Sequence, residues 1–165
     1  MRRIATVVAC AAALLSPAAQ ASAQVKFGPQ LSVGTDSDLG LGARLVFPLR
    51  TDALGVDGVI DGNYFFGGGS AVDSWIDTNA NVRLPIPLAE DFVTRLGAGL
   101  NVTFISFESP GVTSSTDTDV GLNLLAGIEI PRAVTPYLEL RLVVGNAEQV
   151  VVTGGFTFGR GRNAQ

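Results

Sequence analysis

The chain has no histidine, one lysine, one cysteine and one tryptophan in 165 residues. Without an imidazole there is no His-based triad, no histidine general base and no histidine metal ligand. Charged residues make up only 16% of the chain, against the ~25% usual for a soluble globular protein. Much of the surface therefore faces something other than water. Yet beyond the first 23 residues there is no unbroken apolar run of the ~20 residues that a spanning helix needs. A net charge of −4 and a pI near 4.7 also exclude nucleic acid as a partner, because the phosphate backbone is bound by excess positive charge.

The one cysteine, Cys10, falls in a leader over 1–23. Arg2 and Arg3 precede an apolar stretch over 4–15, and Ala21-Ser22-Ala23 supplies a small-x-small cleavage site, so export and processing are expected to leave Gln24 first. Ala19-Gln20-Ala21 is a competing site. Cys10 ends a VVAC sequence with the residue types of a lipoprotein processing site, but too few apolar residues come before it. The mature chain then holds no thiol, and no disulfide can staple it. What remains is one domain over 24–159 and a polar tail over 160–165.

What is present is alternation. Over 92–107, Phe92, Thr94, Leu96, Ala98, Leu100, Val102 and Phe104 alternate with Val93, Arg95, Gly97, Gly99, Asn101 and Thr103. A period of two is a strand signal, and no helical period accommodates it. The pattern recurs about eight times. It predicts strands over 25–34, 39–49, 55–66, 74–84, 92–107, 119–130, 137–144 and 150–158. Pro29 lacks a ladder donor, so an irregularity is expected there. Val56, Ile60, Tyr64 and Phe66 are placed on one face of the third strand, opposite Asp57, Asp61 and Asn63. The longest connection falls at 108–117. Pro48, Pro85 and Pro131 each follow an even-numbered strand, which marks one end of a meander of hairpins. Eight strands with both termini at that end have the parity of an all-β, eight-stranded antiparallel up-and-down barrel.

Alternation fits a membrane barrel with its apolar face outward, or a soluble one with that face inward. Three features favour the membrane. The polar face is rich in Gly, Asn and Thr and has almost no Lys, which suits a narrow interior better than a solvated surface. The polar face carries Lys26, Arg44, Arg83, Arg95 and Arg141 against Asp57, Asp61, Asp77, Glu129 and Glu139, a balance suited to buried charges that must be paired. Aromatics on the apolar face cluster near strand ends: Phe27, Phe47, Phe92, Phe156 and Phe158 at the proline end, and Tyr64, Phe66 and Phe104 at the other. Two such belts mark the two interfaces of a transmembrane barrel.

The pattern over 24–158 resembles the small eight-stranded barrels of the OmpA/OmpX-like class of Gram-negative outer membranes. The segment Thr153 to Phe158, TGGFTF, resembles the glycine-then-aromatic signal by which such strands are recognised, although Phe158 is not the last residue. The resemblance implies outer-membrane lipid and lipopolysaccharide as surroundings, and the barrel assembly machinery as a partner of the last strand. Membrane enzymes of this size that act on lipid generally use histidine, so no catalytic residue is expected. No cofactor or metal is expected either, because Asp36-Ser37-Asp38 and Asp117-Thr118-Asp119 lack the ligand set of a calcium loop and read as turn residues. The expected function is a structural or interaction barrel whose interior is a charge-balanced polar network. A narrow pore or small-solute transporter is the alternative, and a soluble lipocalin-like carrier a second one.

Overall fold

A computed structural model of the chain describes residues 25–49, 55–66, 72–86, 91–107 and 115–159. The leader, the tail, the turn at 50–52, the glycine loop at 67–70 and the first part of the 108–117 connection lie outside the described residues. Within them run β1 (Lys26–Gly34), β2 (Asp38–Pro48), β3 (Asp57–Phe65), β4 (Val72–Ile86), β5 (Val93–Phe107), β6 (Ser115–Glu129), β7 (Val134–Val144) and β8 (Gln149–Phe158). Each strand pairs antiparallel with the next, and β1 pairs with β8 to close the barrel.

The register fixes the shape. A path perpendicular to the strands from Lys26 passes Val46, Val59, Asn81, Gly99, Asn123, Val143 and Gln149. Continuing the β1–β8 register returns it to β1 at the level of Asp36, ten residues beyond its start. Eight strands with that stagger tilt by roughly 40° from the axis and lie about 8 Å from it. Side chains can fill such an interior, and a wide channel cannot fit. The seam is tight: a Cβ on Gly28 would overlap the carbonyl of Phe156 across it, so only glycine lets β1 and β8 approach there.

Burial alternates along every strand, with apolar side chains on the outside. Leu31, Leu41, Leu100, Leu122, Leu124, Leu138 and Leu140 are all about half exposed, while the polar side chains between them are buried. A soluble carrier with its apolar face inward is thus not the arrangement found. The described strands are 9 to 15 residues long, enough for tilted strands to cross a bilayer core.

Several boundaries and facings differ from the sequence reading. The register slips between Val72 and Ser74 rather than at Pro29. At Pro29 the β1–β8 ladder skips Gly28 and Pro29 but keeps its register. Ser115, Thr116 and Asp117, expected in a connection, pair with Phe107, Ser106 and Ile105 and extend β6. Alternating hydroxyl side chains suit this paired edge, and Ser106 and Thr116 join at 3.2 Å. Strand β7 starts at Val134, because Val134, Thr135 and Pro136 also pair with β8. Val56 is buried ahead of β3, its carbonyl accepting from the Leu49 amide at 2.8 Å, and so leaves the outer face.

The outward facing of the apolar band gives a first test. Leu140 is 51% exposed, on a strand flanked by Ala126 and Val152. Leu140→Arg should destabilise the barrel in lipid bilayers by ~2–4 kcal/mol, and Phe158→Arg near the rim by about 1 kcal/mol or less. Urea unfolding in vesicles measures both; equal, near-zero effects would mean that this face meets water.

Candidate functional site

The site is the lumen, and the two-residue period of each strand builds it in tiers. At the proline end, β3 contributes Asp57, β4 Arg83, β5 Arg95 and β6 Glu129. Arg95 Nη1 lies 3.1 Å from Asp57 Oδ2, and Arg95 Nε donates to Glu129 Oε1 at 2.7 Å. Arg83 reaches Glu129 at 3.6 Å and Asp57 at 3.9 Å.

The next tier is fully enclosed. Arg44 on β2 donates both Nη atoms to Glu139 on β7, at 3.0 and 2.6 Å. Arg141, two residues along β7, donates Nη2 to both oxygens of Asp61 on β3 at 3.0 Å and to Glu139 at 3.1 Å. Arg83 joins the tiers by lying 3.7 Å from Glu139. Four guanidinium groups thus face four carboxylates, and Arg44, Arg141, Asp61 and Glu139 are at most 3% exposed. The planar fork of Arg44 suits such pairing, since it meets the Glu139 carboxylate at two points. Arg44 also lies 4.4 Å over the ring of Tyr137, whose hydroxyl donates to Gln30 at 2.7 Å.

Amides and hydroxyls continue the network toward the other end. Asn79 donates to Asp61 at 3.0 Å, and Asn101 and Asn123 both donate to Asn79 at 2.9 Å. Thr103 donates to Asp77 at 2.9 Å, Trp75 Nε1 to the same carboxylate at 2.8 Å, and Gln149 to its second oxygen at 3.1 Å. Ser37 then donates to Gln149 at 2.8 Å. Above this tier Phe65, Trp75, Ile105 and Val151 form an apolar cluster, with Val72, Phe107 and Ala147 packed on it.

Of the ten charged residues singled out in the sequence, eight meet in the two ion-pair tiers. Lys26 and Asp77 do not. Among the described residues Lys26 makes no ion pair and is partly exposed at the proline end, while buried Asp77 is held by three neutral donors near the other end. The aromatics Phe27, Phe47, Phe92, Phe156 and Phe158 lie on the outer surface toward the proline end, with the rings of Phe27 and Phe158 tilted at 48° and their centroids 6.3 Å apart. Tyr64, Phe66 and Phe104 lie toward the other end, and Tyr64 and Phe66 meet edge-on at 5.3 Å. The sequence reading missed the apolar cluster inside. The doublets Phe65-Phe66 and Trp75-Ile76 place an apolar residue on each face, and only continuing the parity of Asp61, Asn63 and Asp77 would have sent Phe65 and Trp75 inward. Among the described residues, no three His, Cys, Asp or Glu side chains cluster to hold a metal ion.

Glu139 anchors two arginines, so it tests the tier. Glu139→Gln should cost ~3–5 kcal/mol, because it leaves buried positive charge uncompensated. In Arg44→Leu/Glu139→Leu, Arg141 still faces Asp61 and the charges again balance, so more than half of that loss should be recovered. Unfolding midpoints in detergent or lipid read out both; no recovery would mean that the pair is not the unit of stability.

Comparison with family models and with curated protein sequences finds no match. Comparison with solved structures does. The chain is similar to the attachment invasion locus protein Ail of Yersinia pestis, with a TM-score of 0.63 and 16% identity over 83% of this chain and 95% of Ail. It is similar to the N-terminal β-barrel domain of Pseudomonas aeruginosa OprF, with a TM-score of 0.66 and 13% identity over 83% and 97%. Neisserial surface protein A matches with a TM-score of 0.54 and 16% identity over 84% and 95%. The likeness lies in strand number, order and closure, and the chain has the fold of the eight-stranded outer-membrane β-barrels.

Proposed function

We propose that this protein is exported, loses the leader over 1–23, and forms a closed, non-conducting barrel of the outer membrane with a structural or interaction role. The observation that carries this reading is the filled lumen: two ion-pair tiers at one end, an amide tier in the middle and an apolar cluster at the other. Arg44 and Arg141 tie β2 and β3 to β7 across the interior, which braces the wall that lipid presses on. A path for solute would have to break buried ion pairs, and a buried charge left without its partner costs several kcal/mol.

Lipid is the partner that the outer apolar band supports, and the aromatic side chains near both of its ends suit the two interfaces. Ail has been solved in a phospholipid bilayer nanodisc and in complex with the heparin analogue sucrose octasulfate. The first setting is consistent with this chain. The second ligand is a polyanion, which does not suit this chain, because the described residues of the end opposite the prolines include acids but no lysine or arginine. Assembly through the last strand, Gln149–Phe158, belongs to the same proposal.

Outer membranes of a Gram-negative host expressing the full chain should yield a band whose mobility shifts on boiling. The purified protein in planar bilayers should give no steady conductance. Reproducible single-channel steps altered by Arg95→Ala or Glu129→Ala would replace this reading with the narrow pore.

A further inference from the structure

The apolar wall of the barrel differs in height from one side to the other. Outward side chains of β5 run from Phe92 through Leu96, Leu100 and Val102 to Phe104, and Ser106 follows. Those of β1 run only from Val25 to Val33, with Thr35 next. Those of β8 run only from Val150 to Phe158, with Glu148 before them. At about 3.3 Å per residue and a tilt of roughly 40°, the β5 run covers about 30 Å of height and the β1 and β8 runs about 20 Å each. The runs over 76–86 on β4, 120–130 on β6 and 134–144 on β7 fall between. On β3 the run over 58–66 is also short, but it stands alone between the longer ones of β2 and β4. Strands β1 and β8 are adjacent across the seam, so their two short runs form one low stretch of wall, opposite β5.

The shortfall lies at both ends of the seam. With the stagger shared evenly over the eight strands, Val33 and Val150 lie about 6–8 Å nearer the proline end than Phe104, while Val25 and Phe158 lie about 3–4 Å farther from it than Phe92. Tilting the barrel cannot level a wall that is shorter at both ends. Phe27, Phe156 and Phe158 are exposed on the seam side and anchor it at the proline-end interface. At the other end Glu148 and Asp36 are exposed just past Val150 and Val33, and a carboxylate does not follow apolar side chains into hydrocarbon without a large cost. Long cationic side chains could relieve the mismatch by reaching up to the interface, but the described residues of this end hold no lysine or arginine.

A wall shorter than the hydrocarbon around it is met by thinning of the bilayer, by reaching side chains or by self-association. The second is missing here. The third would bring Asp36 and Glu148 toward their own equivalents in a second copy, like charges with no cation between them. Thinning remains. The usual hydrocarbon thickness of about 30 Å matches the β5 side and exceeds the seam. We propose that the β1–β8 face is a lipid-selecting surface, which gathers short acyl chains and thins the bilayer along one side of the barrel, while the β5 face takes chains of ordinary length. The proposal rests on the membrane-barrel reading and adds which lipid each side of the wall takes.

The test places a tryptophan reporter at mid-wall on each side, Val152→Trp on β8 and Leu100→Trp on β5. Trp75→Phe removes the native tryptophan from both. The full barrel is folded into dioleoyl phosphatidylcholine vesicles that carry a brominated lipid as quencher. Brominated dimyristoleoyl lipid, with short chains, should compete for the β8 reporter about two- to threefold better than for the β5 reporter, and brominated dierucoyl lipid, with long chains, should reverse that order. Thr35→Leu/Glu148→Leu raises the seam wall to the level of Phe104 and should abolish the difference. Equal quenching of the two reporters would overturn the proposal, as would a difference that survives the raised wall. A β8 reporter shielded from both lipids would show a second copy on the seam, which also overturns it. Emission typical of water from both reporters, with no quenching by either lipid, would overturn the membrane reading itself. Retention of the heat-shifted band in every variant keeps a failed barrel distinct from a failed surface.

Discussion

Everything in this molecule depends on the closure of one sheet. A backbone amide or carbonyl left unpaired in hydrocarbon costs several kcal/mol, so strands can cross a bilayer only when no edge remains. Closure between β1 and β8 removes the edge, and it also sets the radius, since eight strands with a stagger of ten leave room only for side chains. The glycines where chains approach most closely, such as Gly28 beside Phe156 and Gly99 beside Ala80, are consequences of that radius. The filling of the lumen is another.

Filling a narrow tube with charge is costly unless each charge finds its opposite. The solution here is to draw opposite charges from different strands: Arg44 with Glu139 and Arg141 with Asp61 across the interior, and Arg95 with Asp57 and with Glu129 of the neighbouring strand. The pairs stabilise less by their own attraction than by fixing which strands face each other, since a register slip of two residues would separate them. Toward the other end the filling changes to neutral hydrogen bonds and then to Phe65, Trp75, Ile105 and Val151. Asp77 sits at that boundary, with neutral donors in place of a cation. Among the described residues β6 runs on past the end of β7, and there the chain bears Ser, Thr and Asp rather than leucine.

Much of this was legible in one dimension. The alternation of Leu96, Ala98 and Leu100 with Arg95, Gly97 and Gly99 states a strand with two unlike faces, because successive side chains of a pleated strand must point opposite ways. The prolines at 48, 85 and 131 and the even strand count state the hairpin order. The low charge and the missing histidine narrow the chemistry. Strand ends were less legible. Ser115, Thr116 and Asp117 read as a loop by composition, yet pairing with β5 draws them into β6, since a neighbour already in place makes extension cheaper than a new turn. Apolar doublets such as Phe65-Phe66 were ambiguous, because each member suits a different face.

The sequence by itself determined the eight strands, their antiparallel order and the two unlike faces, since these follow from local periodicity and turn chemistry. It also contained the ten charges of the polar face, but as an unsorted set. Only the tertiary structure decided that the charged face points inward, that Arg44 meets Glu139 while Lys26 and Asp77 stand apart, and that apolar side chains fill one end of the lumen. Those outcomes depend on stagger, because the shear of the closed sheet decides which residues from distant strands share a level, and no local pattern encodes that number.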